Sequence, residues 1–247
     1  MAIKKQLSFK QAAIKYFIQS PLSKLISITS KVKGDIFFDL KQFPWTAELE
    51  NNFEKILHES IKVMKSERLP NIQDVLSQEK PIAKEENWKV YFIYFFWNLV
   101  KEHSIACPET TEIIKKIPGL VSAFFSVLAP GKNIPEHYGP YNGVLRCHLG
   151  LIIPAQKNCA GLQVGDQVKY WSPGKVLIFD DTNPHSAWNN STNEYRVVLF
   201  IDFLRPLPYL VQIMNKSFLR FLSTDKDLQE GLEYLKHQQL SLVRTNF

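Results

Sequence analysis

The sequence predicts an all-β core with flanking helices, closed as a double-stranded β-helix, the jelly-roll barrel. Six short runs of strand character lie between residues 121 and 203, and turn signals such as the Pro-Gly pairs at 130–131 and 173–174 separate them. Strands this short and this closely connected leave no room for crossover helices, so they must form a sandwich or a barrel. Helical patterns before and after the strands predict the flanking helices.

Length and composition predict a single domain. The 247 residues are 45% hydrophobic and 22% charged, which suits one large core. We expect a basic N-terminal arm over residues 1–34, a helical support over 35–119, the catalytic β-barrel over 120–206 and C-terminal helices over 207–247. Three cysteines are too few for a disulfide framework and indicate a reducing compartment.

Charge and hydropathy limit the partners that the chain can bind. Residues 1–34 hold seven lysines and no acid, while the rest holds 23 basic and 24 acidic residues. A near-neutral body argues against nucleic acid, whereas the basic arm could bind an anionic membrane surface. A packed helix with solvated lysines and an organelle transit peptide are the alternatives. The longest apolar run, residues 90–100, is shorter than the roughly 20 residues of a membrane span. We expect a cytoplasmic protein, with peripheral binding at the inner face of a membrane as an option.

The first half of the chain is predicted to be mainly helical. Residues 46–66 place apolar side chains every three to four positions, which predicts one amphipathic helix. Residues 69–85 are polar and contain two prolines, so they predict a loop. Residues 88–97 are aromatic and apolar, and periodicity alone does not decide between a buried strand and a helix. A short helix is expected over 108–117 because a proline begins it and a Pro-Gly pair follows it.

Beyond residue 120 the pattern becomes β. Alternation and turn signals predict strands over residues 121–129, 144–153, 161–164, 167–171, 175–179 and 195–203. Two helices are then expected, over 207–221 and 225–240, because leucines recur at helical spacing.

Two histidines flank these predicted strands. His137 stands just before one strand, and His185 lies 48 residues later, in the turn before the last strand. Two neutral imidazoles brought together by a barrel form a partial site for Fe, Zn, Cu or Ni, and iron with open positions is the version that oxygenases use. Either histidine alone would be an ordinary core or surface residue.

Basic and polar side chains also interrupt the apolar strands. Arg196 lies in the last strand, and the period of two places Arg146 and His148 on one face of theirs. A buried guanidinium requires a carboxylate, and no Asp or Glu in these strands is an evident partner. We therefore expect a dicarboxylate cosubstrate to supply one.

Three motifs connect these residues to a known family. The segments HYGPYNGVLRCHLGLIIP, GKVLIFDDTNPHSAWN and YRVVLFIDFLRP resemble the core motifs of the aspartyl/asparaginyl β-hydroxylase family of Fe(II)- and 2-oxoglutarate-dependent oxygenases. The resemblance is strong over residues 120–206 and looser over FPWTAELENNFEKI, residues 43–56. It implies an enzyme that uses Fe(II), 2-oxoglutarate and O₂.

The resemblance also implies roles for individual residues. His137 and His185 would bind iron; Arg196 and Ser126 would hold the distal carboxylate of 2-oxoglutarate. Arg146 and His148 would lie near its metal-bound end. Asp181 would be the catalytic carboxylate that holds a metal-bound water, unless it only forms the turn of its Asp-Asp-Thr-Asn run.

Gly139 departs from the pattern of most 2-oxoglutarate oxygenases. They carry a third, carboxylate ligand two residues after the first histidine, where this chain has glycine. If residue 139 faces the metal, an aspartate placed there should restore a three-ligand site. If it does not, Asp181 is the first candidate for a third ligand.

The sequence leaves three alternatives, which are two classes of substrate and a protein without catalysis. The resemblance favours the β-carbon of an aspartyl or asparaginyl residue in a peptide or protein. A bacterial branch that hydroxylates an acyl chain of lipid A is the second, because ENWKVYFIYFFWN and CPETTEIIKKIPGLVSAFF look more like that branch. A barrel that binds ligands without catalysis is the third, and succinate production would distinguish it from an enzyme.

Overall fold

The computed structural model describes residues 21–34, 36–66, 69–83 and 87–244. Most of the predicted basic arm, residues 1–20, lies outside the described residues, and the arm's remainder includes helix α1, Pro21–Thr29. Leu22 and Ile26 of α1 are buried against Leu219 and Leu222 of a C-terminal helix. This part of the arm therefore packs on the body of the protein.

Helices precede the barrel, as predicted, but one of the predicted helices is divided. The helix expected over 46–66 is divided into α2, Thr46–Asn51, and α3, Phe53–Ser66. At the division the Asn52 side chain donates to the Glu48 carbonyl at 2.9 Å, so it competes with the backbone for a helical acceptor.

The predicted loop over 69–85 was wrong. It contains α4, Ile72–Val75, and α5, Lys80–Ala83. The Asp74 carboxylate accepts from the Asn71 backbone amide at 3.0 Å and from the Asn71 side-chain amide at 3.3 Å, which stabilises the start of α4 despite the polar sequence.

The undecided segment at 88–97 is a strand. In chain order the strands and their helices are β1 Trp88–Phe95, β2 Asn98–Leu99, α6 Lys101–Ala106, α7 Pro108–Ile114, β3 Leu120–Leu128, β4 Asn133–His137, β5 Val144–Ile152, β6 Ala160–Val164, β7 Gln167–Tyr170, β8 Val176–Phe179, β9 His185–Asn189, β10 Arg196–Leu204, α8 Tyr209–Leu222 and α9 Lys226–Arg244. The six strands and the two C-terminal helices predicted from the sequence are all present with small changes of boundary.

The strands form two antiparallel sheets that face each other. The larger sheet has the order β2-β1-β3-β10-β5-β8, and the smaller has the order β4-β9-β6-β7. Side chains from both sheets share one buried cluster, for example Phe124 and Phe200 from the larger sheet with Leu162 and Ala187 from the smaller. This arrangement is the predicted double-stranded β-helix with flanking helices.

Alternation along the strands of the larger sheet separates two environments. Residues such as Phe125, Cys147 and Leu199 face outward and pack under α2 and α3. Their strand neighbours Ser126, His148 and Phe200 point to the other face, towards the smaller sheet, because successive side chains alternate. The polar side chains of these apolar strands therefore lie on the inner face, between the sheets.

The sequence missed β4 and β9, the strands that carry the two histidines. His137 ends β4 and His185 begins β9, so neither lies in the loop or turn that was predicted. Both strands are only five residues long, and their register shifts between Ile134 and His137. A short, irregular pair of strands lacks the regular alternation of apolar and polar residues that identifies a strand in a sequence.

Every helix of the described residues is too short or too polar to cross a bilayer.

Candidate active site

The two predicted metal ligands are neighbours. His137 and His185 are cross-strand partners of β4 and β9, and the centroids of their rings are 4.0 Å apart. Pairing of the two strands thus joins residues that are far apart in sequence, as the barrel hypothesis requires.

Both histidines have their Nδ1 atom close to a backbone carbonyl oxygen. His137 Nδ1 lies 2.8 Å from the Pro135 carbonyl, and His185 Nδ1 lies 3.0 Å from the Asn183 carbonyl. A carbonyl accepts only, so each Nδ1 carries the proton and each Nε2 keeps its lone pair. Burial lowers the pKa of His137, and burial together with the Arg146 charge lowers the pKa of His185 to about 3. Two neutral imidazoles with free Nε2 atoms suit a metal ion.

Arg146 connects the histidines to two carboxylates. Its guanidinium lies 3.4 Å from His185 Nε2, 3.1 Å from Asp181 Oδ2 and 3.3 Å from Asp202 Oδ1. Burial lowers the pKa of Arg146, but the two carboxylates outweigh that effect and the net pKa is raised. Burial raises the pKa of Asp181 to about 6, although the Arg146 charge opposes the rise.

The sequence-based expectation about arginine partners is wrong for Arg146. Asp202 of β10 lies directly across from it in the sheet register and is its partner within the strands. Asp202 and Arg205 both fall inside the YRVVLFIDFLRP motif, and the period of two along β10 places Asp202 on the face of Arg196. That signal could have identified Asp202 as an inner-face carboxylate.

Asp181 fills the space beside Gly139. The Gly139 amide donates to the Asp181 carbonyl at 2.7 Å, and a Cβ added at Gly139 would lie 2.1 Å from Asp181 Oδ2. No side chain fits there without displacing the Asp181 carboxylate. Whether an aspartate at 139 would add a third ligand stays a prediction, and such a side chain would first have to displace the Asp181 carboxylate from that volume.

Asp180, the neighbour of Asp181, has a structural role. Its carboxylate forms a buried ion pair with Arg205 and accepts from Thr182 Oγ1 at 2.6 Å. These contacts fix the turn between β8 and β9. The same turn carries Asp181 and leads into His185, so the ion pair orients both side chains.

Arg196 is the second buried arginine, and its charge has no carboxylate partner among the described residues. Its Nη1 donates to the Ser126 carbonyl at 3.3 Å and lies 3.5 Å from Ser126 Oγ, while its Nε has no hydrogen-bond partner. Burial lowers the pKa of Arg196 to about 9. An uncompensated buried cation of this kind needs an anionic ligand.

Other unsatisfied donors and acceptors surround Arg196. Both ring nitrogens of His148 are buried without a partner, and so is Nε1 of Trp171, whose ring lies 4.7 Å from the Arg196 guanidinium. Burial and the two neighbouring arginines lower the pKa of His148 far below its usual value. Trp171 was not predicted. Arg146 and His148 project from the same face of β5, as the period of two predicted, and Ser126 and Arg196 lie on the same inner face of the larger sheet.

A separate apolar cavity of about 190 Å³ opens next to the histidine pair. His137, Arg146 and Asp181 line it on one side. Most of the remaining wall is hydrophobic, with Ile72, Leu76, Phe92, Phe96, Val121, Phe124, Val144, Phe200, Leu219, Leu222 and Leu228. Carboxylates from Glu79, Asp225 and Asp227 also reach its wall. The cavity thus brings a hydrocarbon surface to the candidate metal site.

Phe200 separates the cavity from the Arg196 cluster. It lines the cavity, and its ring centroid is 4.6 Å from that of His148. On its other side it stacks on Phe124 at 4.4 Å, and Phe124 contacts Phe92 at 4.3 Å. This row of rings, Phe200, Phe124 and Phe92, crosses three neighbouring strands and forms one wall of the cavity.

Further protein ligands for a metal are not evident in the part of the chain that the structure describes. There, His, Cys, Asp and Glu side chains form no cluster of three or more with the arrangement of a metal site. Of the predicted residues, His137 and His185 are the two imidazoles that lie together as cross-strand partners.

Two facing antiparallel sheets with a histidine pair between them define a double-stranded β-helix protein. Comparison with known proteins agrees with the motifs. The profile of the family described as "Aspartyl/Asparaginyl beta-hydroxylase" matches residues 50–206. The chain belongs to this family, and the predicted hydroxylase class is confirmed.

Individual relatives differ in the molecules they are named for. The "Ornithine lipid ester-linked acyl 2-hydroxylase" of Rhizobium tropici is 41% identical over 205 residues, covering 83% of this chain and 73% of that protein. The human aspartyl/asparaginyl β-hydroxylase is 27% identical, covering 68% of this chain but only 23% of the human protein. Among solved structures, a Pseudomonas putida prolyl-4-hydroxylase superposes with a TM-score of 0.40 at 13% identity, over 65% of this chain and 98% of that one.

Proposed function

We propose that the protein is an Fe(II)- and 2-oxoglutarate-dependent oxygenase that hydroxylates the acyl chain of a lipid. One observation carries the choice of substrate: the cavity beside His137, Arg146 and Asp181 is walled mainly by aliphatic and aromatic side chains. A hydrocarbon chain gains free energy by leaving water for such a wall.

In this proposal, His137 and His185 hold Fe(II) through their Nε2 atoms. Their Nδ1–H groups remain bonded to backbone carbonyls, which fixes the ring orientation and increases ligand basicity. Asp181 acts from outside the ligand set. Its carboxylate, which forms an ion pair with Arg146, would accept a hydrogen bond from a water molecule at the metal.

Arg196 provides the site for the cosubstrate. A 2-oxoglutarate carboxylate paired with its guanidinium would neutralise the buried charge and satisfy the free Nε atom. Ser126 Oγ lies within reach of the same group, although it already accepts from Trp88 Nε1 at 3.0 Å. His148 and Trp171 supply the remaining unpartnered polar atoms next to it.

When bound, Fe(II), 2-oxoglutarate and O₂ supply the oxidant that inserts one oxygen atom into a C–H bond, with release of succinate and CO₂. The protein's own residues position the substrate and exclude water. Phe200 keeps the acyl chain apart from the polar cosubstrate cluster, and the apolar wall prevents water from reaching the reacting carbon.

The apolar wall favours an acyl chain over the aspartyl or asparaginyl side chain that the motifs first indicated. A carboxylate or carboxamide buried against the aliphatic and aromatic part of the wall would lack hydrogen-bond partners. The name of the Rhizobium tropici relative supports the same choice. The aspartyl/asparaginyl substrate and the lipid A substrate stay predictions, and the experiment below includes both.

The test is a direct product analysis. Purified protein is incubated with Fe(II), 2-oxoglutarate and O₂ and with either an acyl lipid, lipid A, or a peptide containing Asp and Asn. We expect the acyl chain to gain the mass of one oxygen atom, with one succinate formed for each hydroxyl group. A peptide product without a lipid product would overturn the acyl substrate. Succinate absent with every substrate would support a binding protein without catalysis.

A further inference from the structure

Large hydrophobic side chains are exposed on one face of α8. Among the described residues, exposed hydrophobic side chains are scattered over several elements, but five lie on this helix. They are Tyr209, Leu210, Ile213, Met214 and Phe221, with exposed fractions between 46% and 77%. Ile28 of α1, the helix that packs beside α8, is 81% exposed. A concentration of this kind marks an interaction surface and not ordinary scatter.

The five side chains form a stripe along one side of α8, with Tyr209, Leu210, Ile213 and Met214 in its first two turns and Phe221 two turns later. At about 100° per residue, they occupy an arc of roughly 140° on the outside of α8. The opposite side of the helix carries the buried residues Asn215, Leu219 and Leu222. Helix α8 therefore has exposed apolar side chains on its outer side as well as buried ones on its inner side.

The charged residues within α8 and α1 are all basic. Helix α8 contains Lys216 and Arg220 and no acidic residue, and α1 contains Lys24 and no acidic residue. All three side chains are exposed. An apolar stripe bordered by lysine and arginine is the pattern of helices that lie in the interface of an anionic bilayer, where the long basic side chains reach the headgroups.

The inner face of α8 belongs to the cavity. Leu219 and Leu222 line the same space as His137 and Arg146. One helix therefore separates the exposed apolar stripe from the cavity proposed for the acyl chain. A bilayer in contact with the stripe would lie one helix diameter from that cavity.

We propose that the outer face of α8 docks on the surface of an anionic lipid bilayer. This inference rests on the proposed function in one respect, since it explains how an acyl lipid that stays in a membrane reaches the site. It concerns α8 together with α1, which is the helical part of the predicted basic arm.

The experiment is vesicle flotation with the full chain. Vesicles of phosphatidylcholine, with or without phosphatidylglycerol, are mixed with wild-type protein and with the variant Leu210→Ser/Ile213→Ser. The matched control is Ile105→Ser/Val168→Ser, because Ile105 and Val168 are 67% and 42% exposed, close to the 72% and 46% of Leu210 and Ile213. We expect the α8 variant to bind about tenfold more weakly or worse, and the control to stay within about twofold of wild type.

Charge and position are tested separately. Lys216→Gln/Arg220→Gln should reduce binding only to vesicles that contain phosphatidylglycerol. The three native cysteines are buried, so Leu210→Cys and Ile105→Cys each offer one accessible thiol for an environment-sensitive dye. Vesicles should shift the emission of the dye at residue 210 to the blue and leave the dye at 105 unchanged.

Three results would overturn the docking surface. They are unchanged flotation of Leu210→Ser/Ile213→Ser, an equal loss in the control, and a wild-type dimer that Leu210→Ser/Ile213→Ser converts to a monomer without any effect of vesicles. The last would make the stripe an interface between two copies of the chain.

The two proposals fail in different ways. Flotation needs no metal or turnover, so vesicle binding without lipid hydroxylation contradicts only the proposed function. Hydroxylation of lipid without vesicle binding contradicts only the docking surface. If both hold, Leu210→Ser/Ile213→Ser should hydroxylate lipid dispersed in detergent at the wild-type rate and lipid in vesicles far more slowly.

Discussion

Arg196 is buried with its Nε atom unsatisfied and with no carboxylate partner among the described residues. Replacing it by methionine, which has similar length and no charge, should raise the half-saturating 2-oxoglutarate concentration by about tenfold or more, since a charge-assisted hydrogen-bonded pair contributes about 1.5–3 kcal/mol. Titration of succinate formation against 2-oxoglutarate measures the effect. The exposed Arg220 provides the control Arg220→Met, and a half-saturation for Arg196→Met equal to wild type contradicts the assignment.

The histidine pair allows a second prediction. His137→Ala and His185→Ala should each abolish Fe(II)-dependent turnover and weaken Fe(II) binding, measured anaerobically by calorimetry, because each variant removes one of two protein ligands. The exposed His58 is the matched control. His103 is unsuitable as a control because it is buried, its Nδ1 lies 2.7 Å from the Phe92 carbonyl oxygen, and its ring stacks on Tyr91. Full turnover in either alanine variant would exclude that histidine as an iron ligand.

Gly139 and Asp181 give a third prediction because they share one volume. A methyl group at residue 139 would collide with the Asp181 carboxylate, so Gly139→Ala should push that side chain away from Arg146. We expect turnover to fall by about tenfold or more, as for loss of an outer group that orients a metal site. Gly139→Ala/Asp181→Ala should be no slower than Asp181→Ala alone. Additive losses would mean that Gly139 acts independently of Asp181.

At the scale of elements, α4 and α9 close the cavity on the β1 side. Gly231 lets the two helices approach closely, because a Cβ there would lie 2.2 Å from the Val75 carbonyl oxygen. Ile72 of α4 and Leu228 of α9 line the cavity next to Phe92. The proposed acyl chain would run from the histidine pair along Phe200, Phe124 and Phe92 towards these helices.

This path predicts that the size of the cavity limits the length of the acyl chain. Leu228→Phe should narrow the cavity and shift the preference of the enzyme towards shorter acyl chains by about tenfold, since filling an apolar pocket discriminates by about 1–3 kcal/mol per methylene. Leu232→Phe is the control, because Leu232 is buried in the same helix but does not line the cavity. Product ratios from mixed-length lipids measure the preference. The same ratios in both variants would place the acyl chain elsewhere.

For the whole molecule, ligand binding should raise the free energy of unfolding. A metal and 2-oxoglutarate that bind only the folded chain, each at about 100 times its Kd, should each add about 2.7 kcal/mol to the free energy of unfolding, which raises Tm by several degrees for a chain of this size. Anaerobic thermal unfolding with Fe(II) alone and with Fe(II) plus 2-oxoglutarate measures both steps. Arg196→Met should keep the first rise and lose the second. A full second rise in that variant would show that the cosubstrate binds elsewhere.

The sequence by itself determined the local structure and the residue types of the site. A period of two and regular turn signals predicted six strands of the barrel, and helical periodicity predicted the C-terminal helices, because both patterns are set by neighbours in the chain. The same period placed Arg146 and His148 together on one face. Polar residues in apolar strands also identified Arg196, since a charge in that position needs a ligand.

Only the tertiary structure decided which of these residues meet and what surrounds them. Asp202 is the partner of Arg146 because of the register between β5 and β10, and Asp181 fills the space beside Gly139 because the turn before β9 packs against β4. The cavity is formed by residues from β1, β3, β4, β5, β10 and three α-helices, which no local pattern connects. Contacts between segments far apart in sequence depend on how the two sheets and the helices pack. Periodicity along a single segment carries no information about that packing.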